Sequence, residues 1–205
     1  MSDQPRYTVV YFDSRGRAEP IRLTLALAGQ AFTDRGLNRA QWLEIKPHTG
    51  LWQLPVLVEH TAGGEVTIPQ SEAILRHLGR TFGLYGRDDR ERMAADIAGD
   101  TVADLRAKVS RLRFSPGWHD EEARKTYLAQ TASLGFDRLA KVLGDRTWYA
   151  SDAPTWADAL VFDTLDGHLL QWRDCLDDYP TLAAFVARFR ALPVLQDYLQ
   201  QRRAA

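Results

Sequence analysis

The segment that decides the fold is Tyr7-Thr-Val-Val-Tyr-Phe-Asp-Ser-Arg-Gly-Arg-Ala-Glu-Pro-Ile-Arg22. It opens with β-branched and aromatic residues, which predict a strand, and the turn-forming residues 13–16 end that strand. Residues 17–28 repeat apolar side chains at helical spacing, and Pro20 fits a helix only in its first turn, where its missing N–H breaks no hydrogen bond. The chain therefore begins with a strand, a turn and a helix.

The rest of the first 84 residues adds more strands and a second helix. Thr61-Ala-Gly-Gly64 is a turn signal of the hairpin kind between two stretches typical of strands. Predicted strands lie at 31–35, 56–60 and 65–68, and a predicted helix lies at 71–82. The order β-α-β followed by β-β-α predicts a small α/β domain with a mixed sheet.

The second half of the chain has a helical character, with no convincing strand pattern from residue 88 onward. Predicted helices lie at 88–114, 120–143, 155–171, 181–190 and 192–201. Thr155 and Asp158 have the spacing of a capping box, with Asp in place of the usual Glu. The turn-rich segment 84–90 is the only plausible linker, so we expect an all-helical domain after it.

Composition and charge exclude several classes of function. The 205 residues include 26 Lys and Arg against 27 Asp and Glu, a net charge of −1. Both signs occur in both halves, which argues against a nucleic-acid or anionic membrane partner. No stretch approaches the ~20 apolar residues of a membrane span, and residues 1–6 lack the apolar run of a signal peptide, so we expect a cytoplasmic protein.

Metal and disulfide chemistry are also not expected. The single cysteine, Cys175, excludes an internal disulfide and a Cys-x-x-Cys redox or zinc site. The five histidines lack the spacing of metal ligands. We therefore expect no metal cofactor.

Several motifs occur together and in one order along nearly the whole chain. They are Tyr11-Phe-Asp-Ser-Arg-Gly-Arg-Ala-Glu-Pro-Ile-Arg22, Trp42 with Lys46, Gln53-Leu-Pro-Val-Leu57, Gln70-Ser-Glu-Ala-Ile-Leu-Arg-His-Leu78, Thr81-Phe-Gly-Leu-Tyr-Gly86 and Asp104-Leu-Arg106. With this set the chain resembles, from about Tyr7 to Leu199, the cytosolic glutathione transferase family, in the tyrosine-type branch that includes the pi and sigma classes.

The resemblance implies a thioredoxin-like, glutathione-binding domain at 1–84. It implies an all-helical domain at 85–205, which would supply the electrophile site and dimer contacts. The expected activity is a transferase that takes glutathione as co-substrate, activates its thiol as thiolate and conjugates it to small hydrophobic electrophiles. A cytoplasmic homodimer with a role in detoxification is the expected setting.

Tyr11 is the catalytic residue that the resemblance implies. A phenol O–H that donates to a bound thiolate lowers the pKa of that thiol. A free thiol with pKa ~8.5 is about 3% ionised at pH 7, and a two-unit drop needs ~2.7 kcal/mol. One hydrogen bond to a charged group supplies roughly 1.5–3 kcal/mol. Tyr7, on the same face of the strand, and Ser14, in the turn, are the alternatives; taken alone, Tyr11 is more often a core aromatic.

The resemblance also implies where glutathione is held. A cis Leu54–Pro55 peptide would turn the Leu54 backbone outward, so that the tripeptide adds as a strand. Gln70 and Ser71 open a helix whose free N–H groups suit a carboxylate, and Ser71 is a good N-cap in any case. The other implied glutathione contacts are Tyr11, Arg17, Trp42, Lys46, Gln53 and Asp104, the last reaching across the dimer. Taken singly, Lys46 and Pro55 are typical of a solvated lysine and a loop proline.

The electrophile site is implied at Phe12, Ser14, Phe114 and the tail after Leu199. Phe114 stands where the pi class usually has a tyrosine, so a second hydroxyl is absent. Leu51 occupies the position of an aromatic dimer key but is not aromatic, and Trp52 is the alternative key.

Two other functions stay open at this level. One is a non-catalytic glutathione-binding, ligand-binding or interaction protein of the same fold, and the other is a glutathione-dependent isomerase. Tyr11, Leu54-Pro55 and Gln70-Ser71 together favour the transferase, because a purely structural descendant has no reason to keep them.

Overall fold

The computed structural model describes residues 5–202. Four strands and nine α-helices lie in this range, and short 3₁₀ turns flank several of the helices. In chain order they are β1 Tyr7–Phe12, α1 Glu19–Leu27, β2 Phe32–Leu37, α2 Arg39–Ile45, β3 Val56–Thr61, β4 Gly64–Pro69, α3 Ser71–Thr81, α4 Asp89–Arg113, α5 Glu121–Thr126, α6 Ser133–Leu143, α7 Trp156–Gln171, α8 Pro180–Arg190 and α9 Gln196–Gln201.

The described residues form two compact units. The first contains the residues up to Leu84 together with those from Arg190 onward, and the second runs from Tyr85 to Phe189. The observed first unit therefore includes α9, whereas the domains expected from sequence, 1–84 and 85–205, place α9 with the helical half. Those domains stay a prediction, and their ends at 1–4 and 203–205 lie outside the described residues.

The sheet of the first unit is mixed, as predicted. Its strand order is β2-β1-β3-β4; β1 and β2 are parallel, and β3 runs antiparallel to both β1 and β4. The predicted strand at 31–35 is observed as β2, which begins one residue later and ends two residues later, and the helix α2 that follows it was not predicted. Asn38 and Gln41 cap α2 reciprocally, but the helix has only 7 residues and none of them is buried, so it is too short for its apolar side chains to form a clear periodic pattern.

Packing in the first unit fixes the end of β1. Pro20 lies in the first turn of α1, as predicted, and α1 packs against α3. Val10, Leu37 and Val56 form a buried cluster against which Ile45 and Leu54 pack. This cluster packs β1 against α2 and against the segment before β3. The motif residues at the strand ends are therefore attached to a rigid core.

The second unit is built around α7. Every residue of α7 from Trp156 to Asp166 is buried, and α4 packs against both α6 and α7. Residues 85–189 contain no strand, which confirms the helical character of this region. The Thr155–Asp158 capping box is also confirmed, since the Asp158 carboxylate accepts hydrogen bonds from the Thr155 N–H at 2.8 Å and the Thr155 hydroxyl at 2.7 Å.

The single helix predicted at 120–143 is wrong in its middle. A π-helical turn, Tyr127–Ala132, separates α5 from α6. There the Tyr127 hydroxyl lies 2.8 Å from His168 Nε2 in the core. The wider π-helical turn accommodates the buried Tyr127, which pairs with α7. Apolar periodicity within residues 120–143 does not reveal a contact with another helix.

No helix between residues 5 and 202 has the length and apolar character needed to cross a membrane.

Candidate active site

Tyr11 lies at the end of β1, above the turn that leads into α1. Its hydroxyl oxygen is 2.7 Å from the position that a Cβ on Gly16 would occupy. Gly16 has a φ of +44° and begins a 3₁₀ turn, Gly16–Ala18, which runs directly into α1. The end of β1, the turn at Gly16 and the start of α1 thus lie next to the Tyr11 side chain, which is partly exposed.

Tyr7 does not share this environment. It is fully buried, its ring meets Phe82 edge to face, and its hydroxyl lies 3.5 Å from Glu59 Oε1. Burial and the Glu59 carboxylate raise the pKa of Tyr7. The Tyr7 hydroxyl therefore faces the protein interior, which argues against its use on a bound ligand.

Ser14 lies in the turn between Tyr11 and Gly16. Its backbone N–H donates to the Phe12 carbonyl at 2.7 Å, and its own carbonyl accepts from Arg22 Nη1 at 3.1 Å. The side chain is partly exposed. Ser14 is thus a fixed part of the turn and stays the alternative to Tyr11.

Arg22 and Glu19 stabilise the turn between β1 and α1, a role that was not predicted. Arg22 Nη1 also donates to the Arg15 carbonyl at 3.2 Å and to Glu19 Oε2 at 3.2 Å. Both side chains are fully buried. A single buried guanidinium therefore bonds two carbonyls of the loop that carries Gly16.

The Leu54–Pro55 peptide is cis, as the resemblance implies. Pro55 is buried, and Leu54 packs against the Val10 cluster. The backbone of this bend lies where β3 begins, next to the central strand β1. This geometry suits a segment that pairs with an extended peptide.

Gln70 and Ser71 lie at the start of α3, but their structural roles differ from those expected. Gln70 is the N-cap residue, with a φ of +73°, and Ser71 is the first helical residue. The Ser71 hydroxyl donates to Glu72 at 2.8 Å, so the prediction of Ser71 as N-cap is wrong. Gln70 Nε2 lies 3.4 Å from Gln53 Oε1, which brings two of the predicted glutathione contacts together.

Aromatic contacts extend the site from β1 toward α2. The Phe12 ring lies edge to face with Tyr11 at 5.5 Å and with Trp42 at 6.1 Å between centroids. Lys46 follows α2 and is exposed, and Arg17 is exposed in the 3₁₀ turn before α1. These predicted contacts thus lie at or next to the end of β1, the start of α1 and the end of α2.

Two predicted site residues of the second unit lie on α4 or directly after it. Asp104 is exposed, and Phe114, at the end of the helix, has 86% of its surface exposed. Arg106, from the same Asp-Leu-Arg motif, instead pairs with Asp163 at 2.7 Å and bonds the Thr164 hydroxyl at 3.1 Å. Arg106 is therefore structural within its unit.

The thiol of the chain's single cysteine is not suited to act as a nucleophile. Cys175 is partly buried in the turn after α7, and burial raises its pKa to about 11. Residues 5–202 contain no group of three or more His, Cys, Asp or Glu that could hold a metal ion.

Comparison with known proteins decides the family. Residues 7–80 match the glutathione S-transferase N-terminal domain, and residues 103–202 match the glutathione S-transferase C-terminal domain. Glutathione S-transferase P of Bos taurus is 36% identical over 197 residues, covering 95% of this chain and 92% of that protein. The chain belongs to the glutathione S-transferase family.

Solved structures of this family superpose on the transferase closely. The pi-class glutathione S-transferase of Onchocerca volvulus has a TM-score of 0.88 at 31% identity, covering 96% of this chain and 93% of its own. Prostaglandin synthase D of Nilaparvata lugens has a TM-score of 0.84 at 28% identity, covering 98% of this chain and 100% of its own. The predicted fold class, a thioredoxin-like domain followed by helices, and the predicted glutathione S-transferase activity are confirmed.

Proposed function

We propose that Tyr11 is the residue of this transferase that activates glutathione. Its hydroxyl donates to the glutathione sulfur, which lowers the pKa of that thiol and holds it as thiolate at neutral pH. The thiolate then attacks an electrophilic carbon, forming the C–S bond as the leaving group departs with the electron pair of the broken bond. The observation that carries the proposal is the partly exposed Tyr11 side chain, whose hydroxyl packs against Gly16 just before α1.

The remaining contacts of the first unit would hold the tripeptide. Leu54, beside the cis Pro55, offers backbone groups to an extended peptide. Gln70 and Ser71 lie at the start of α3, where the N–H groups of the first turn favour a carboxylate, and Gln53 contacts Gln70. Trp42, Lys46 and Arg17 supply an indole N–H and two positive charges for the other acidic end and the thiolate.

A cytoplasmic homodimer is the assembly we propose. Leu51 and Trp52 expose 49% and 64% of their surface, and Trp52 has a φ of +55°. An exposed pair of large apolar residues on a turn suits insertion into a second copy, with Trp52 as the aromatic key. Asp104, exposed on α4, would reach the amino group of glutathione bound by the other subunit.

Small hydrophobic electrophiles are the proposed second substrates, in keeping with detoxification. Phe12, Ser14 and Phe114 are the proposed lining, and the large exposed fraction of Phe114 leaves an apolar ring available. The tail after Leu199 is described only as far as residue 202, so its last three residues, 203–205, lie outside the described structure.

The test is conjugation of glutathione to chlorodinitrobenzene by the wild type and three variants. Tyr11→Phe should lose the ultraviolet absorbance of the bound thiolate at neutral pH and most of kcat, while binding of glutathione is kept. Tyr7→Phe is the matched control, since it makes the same change on the same strand at a buried hydroxyl. If Ser14→Ala loses the thiolate and Tyr11→Phe does not, the role of Tyr11 is wrong.

A glutathione-dependent isomerase is the second candidate. The likeness to prostaglandin synthase D of Nilaparvata lugens supports it. Such an enzyme uses the same thiolate with a different second pocket, so the Tyr11→Phe thiolate test applies to both. Tight glutathione binding without conjugation of any small electrophile would favour the isomerase, or the non-catalytic binding protein if the thiolate is also absent.

A further inference from the structure

A buried carboxylate links the C-terminal end of the chain to the start of α1. The side chain of Glu19 is fully buried. Its Oε1 accepts hydrogen bonds from the Tyr198 hydroxyl and from Arg202 Nε, each at 2.9 Å. Its Oε2 accepts from Arg22 Nη1 at 3.2 Å. One carboxylate therefore joins α1 to α9 and to the residue that follows it.

Arg22 connects Glu19 to the turn that contacts Tyr11. Besides Glu19, it donates to the carbonyls of Ser14 and Arg15 and, through Nε, to Asp34 Oδ1 at 3.0 Å. The turn it holds leads to Gly16, against which the Tyr11 ring packs. An unbroken series of contacts thus runs from the C-terminal segment to the proposed thiol-activating hydroxyl.

The cluster is balanced in charge, with Glu19 and Asp34 facing Arg22 and Arg202. Burial and the Glu19 carboxylate raise the pKa of Tyr198, so its hydroxyl is a permanent donor. The Tyr198 ring also meets Phe32 of β2, 6.3 Å between centroids. Removing one hydrogen-bond partner from this cluster leaves a buried charge incompletely paired. Because such a charge is unfavourable, we expect the remaining side chains of the cluster to move.

We propose that Tyr198 and Arg202 are positioning residues for thiol activation, which they exert by fixing Glu19 and Arg22 and so the turn beneath Tyr11. This inference rests on the proposed role of Tyr11. It assigns the C-terminal segment a function in the chemistry on glutathione, in addition to its expected place beside the electrophile. Neither residue touches the reacting sulfur; each acts through Glu19.

The experiment measures the pKa of enzyme-bound glutathione by the pH dependence of its thiolate absorbance. Tyr198→Phe and Arg202→Gln should each raise that pKa by about half a unit, a threefold change in the ionisation constant. The value of kcat/KM should fall about threefold at pH values well below the thiol pKa of the wild type and return to that of the wild type at pH values well above the raised thiol pKa. Arg202→Lys, which keeps the charge, should recover part of the effect.

Two controls separate positioning from a general loss of structure. Asp197→Asn removes a charge from the exposed face of the same helix α9 and should leave the thiol pKa unchanged. Binding of S-methylglutathione, which has no thiol to ionise, should change less than twofold in Tyr198→Phe and Arg202→Gln. Tyr198→Phe loses a single oxygen, so it carries the test if Arg202→Gln does not fold.

A thiol pKa equal to that of the wild type in Tyr198→Phe overturns the inference, as does a loss of kcat/KM of equal size at all pH values. Tyr11→Phe, measured alongside, keeps the two proposals distinguishable. If Tyr11→Phe abolishes the thiolate and the C-terminal variants do not disturb it, Tyr11 keeps its role and the C-terminal segment has none. If Tyr11→Phe leaves the thiolate intact, the proposed function itself is wrong.

Discussion

The phenol of Tyr11 and the backbone of Gly16 are in direct contact, with the hydroxyl oxygen 2.7 Å and the ring carbon Cε1 2.5 Å from the place of a Cβ on residue 16. Any side chain at this position would overlap the ring. The positive φ of +44° at Gly16 adds a backbone reason for glycine. The absence of a side chain at Gly16 therefore leaves the space that the Tyr11 ring occupies.

Gly16→Ala should reduce kcat/KM at least tenfold, because the new methyl group displaces Tyr11 from its place over the turn. Steady-state conjugation of glutathione measures this loss. Gly29→Ala is the control, since Gly29 also has a positive φ, +63°, but nothing lies within 4 Å of its Cβ position. Both variants should cost about 1 kcal/mol of stability through backbone strain, so equal activities would contradict the assigned role of Gly16.

Gln70→Gly should make the protein more stable and bind glutathione less well. Gln70 has a φ of +73°, a conformation that stores about 1 kcal/mol of strain in a residue with a Cβ. Loss of its amide, which faces Gln53, should weaken glutathione binding about tenfold, or about 1.4 kcal/mol. Urea unfolding and titration calorimetry measure the two effects. Gln70→Ala keeps the strain, so it should share only the loss of affinity; greater stability in both variants would contradict a strained Gln70.

Gly99→Ala should destabilise the second unit by about 1–3 kcal/mol, because the indole of Trp156 fills the space that the methyl group needs. Gly167, also within a helix, has nothing within 4 Å of its Cβ position. Gly167→Ala should therefore stabilise by about 0.5–1 kcal/mol through helix propensity. Opposite shifts of Tm in the two variants are expected, and shifts of the same sign would show that Trp156 moves aside.

His168 should make the folded protein sensitive to mild acid. Its Nδ1 lies 2.7 Å from the Thr164 carbonyl, an acceptor, so Nδ1 carries the proton and Nε2 accepts from Tyr127. Burial lowers the pKa of His168 from 6.5 to about 4. Between these values the unfolded chain binds a proton that the folded protein does not, so stability falls as pH falls.

The expected loss from His168 between pH 7 and pH 5 is about 2 kcal/mol. Urea unfolding of the wild type and of His168→Gln across this range measures it. Since glutamine does not titrate, the variant should lose correspondingly less stability on acidification, although it starts less stable. Parallel curves for the two proteins would show that His168 has the same pKa in the folded and unfolded states.

Local patterns predicted the fold well where each element carries its own apolar periodicity. The run of β-branched and aromatic residues from Tyr7 to Phe12 located β1, and the spacing of Thr155 and Asp158 located the start of α7. α2 was missed because its residues are not buried, and the π-helical turn at Tyr127 was missed because its cause, His168, lies on another helix.

The residues of the candidate site were predicted through motif resemblance. The buried residues that hold the turn at this site, Glu19 and Arg22, were not predicted. Glu19 and Arg22 are charged, and charged residues near a helix start are usually at the surface. The buried Glu19 carboxylate accepts hydrogen bonds from Tyr198 and Arg202, which lie near the other end of the chain. Long-range pairing of this kind leaves no signal in local spacing, so only the structure reveals it.

With a pKa of about 11, Cys175 is ionised in about one molecule in ten thousand at pH 7. Because the chain has no other cysteine, a thiol-detecting dye mixed with the enzyme and its substrates reports free glutathione with almost no background from the protein. Consumption of glutathione can then be followed directly during turnover.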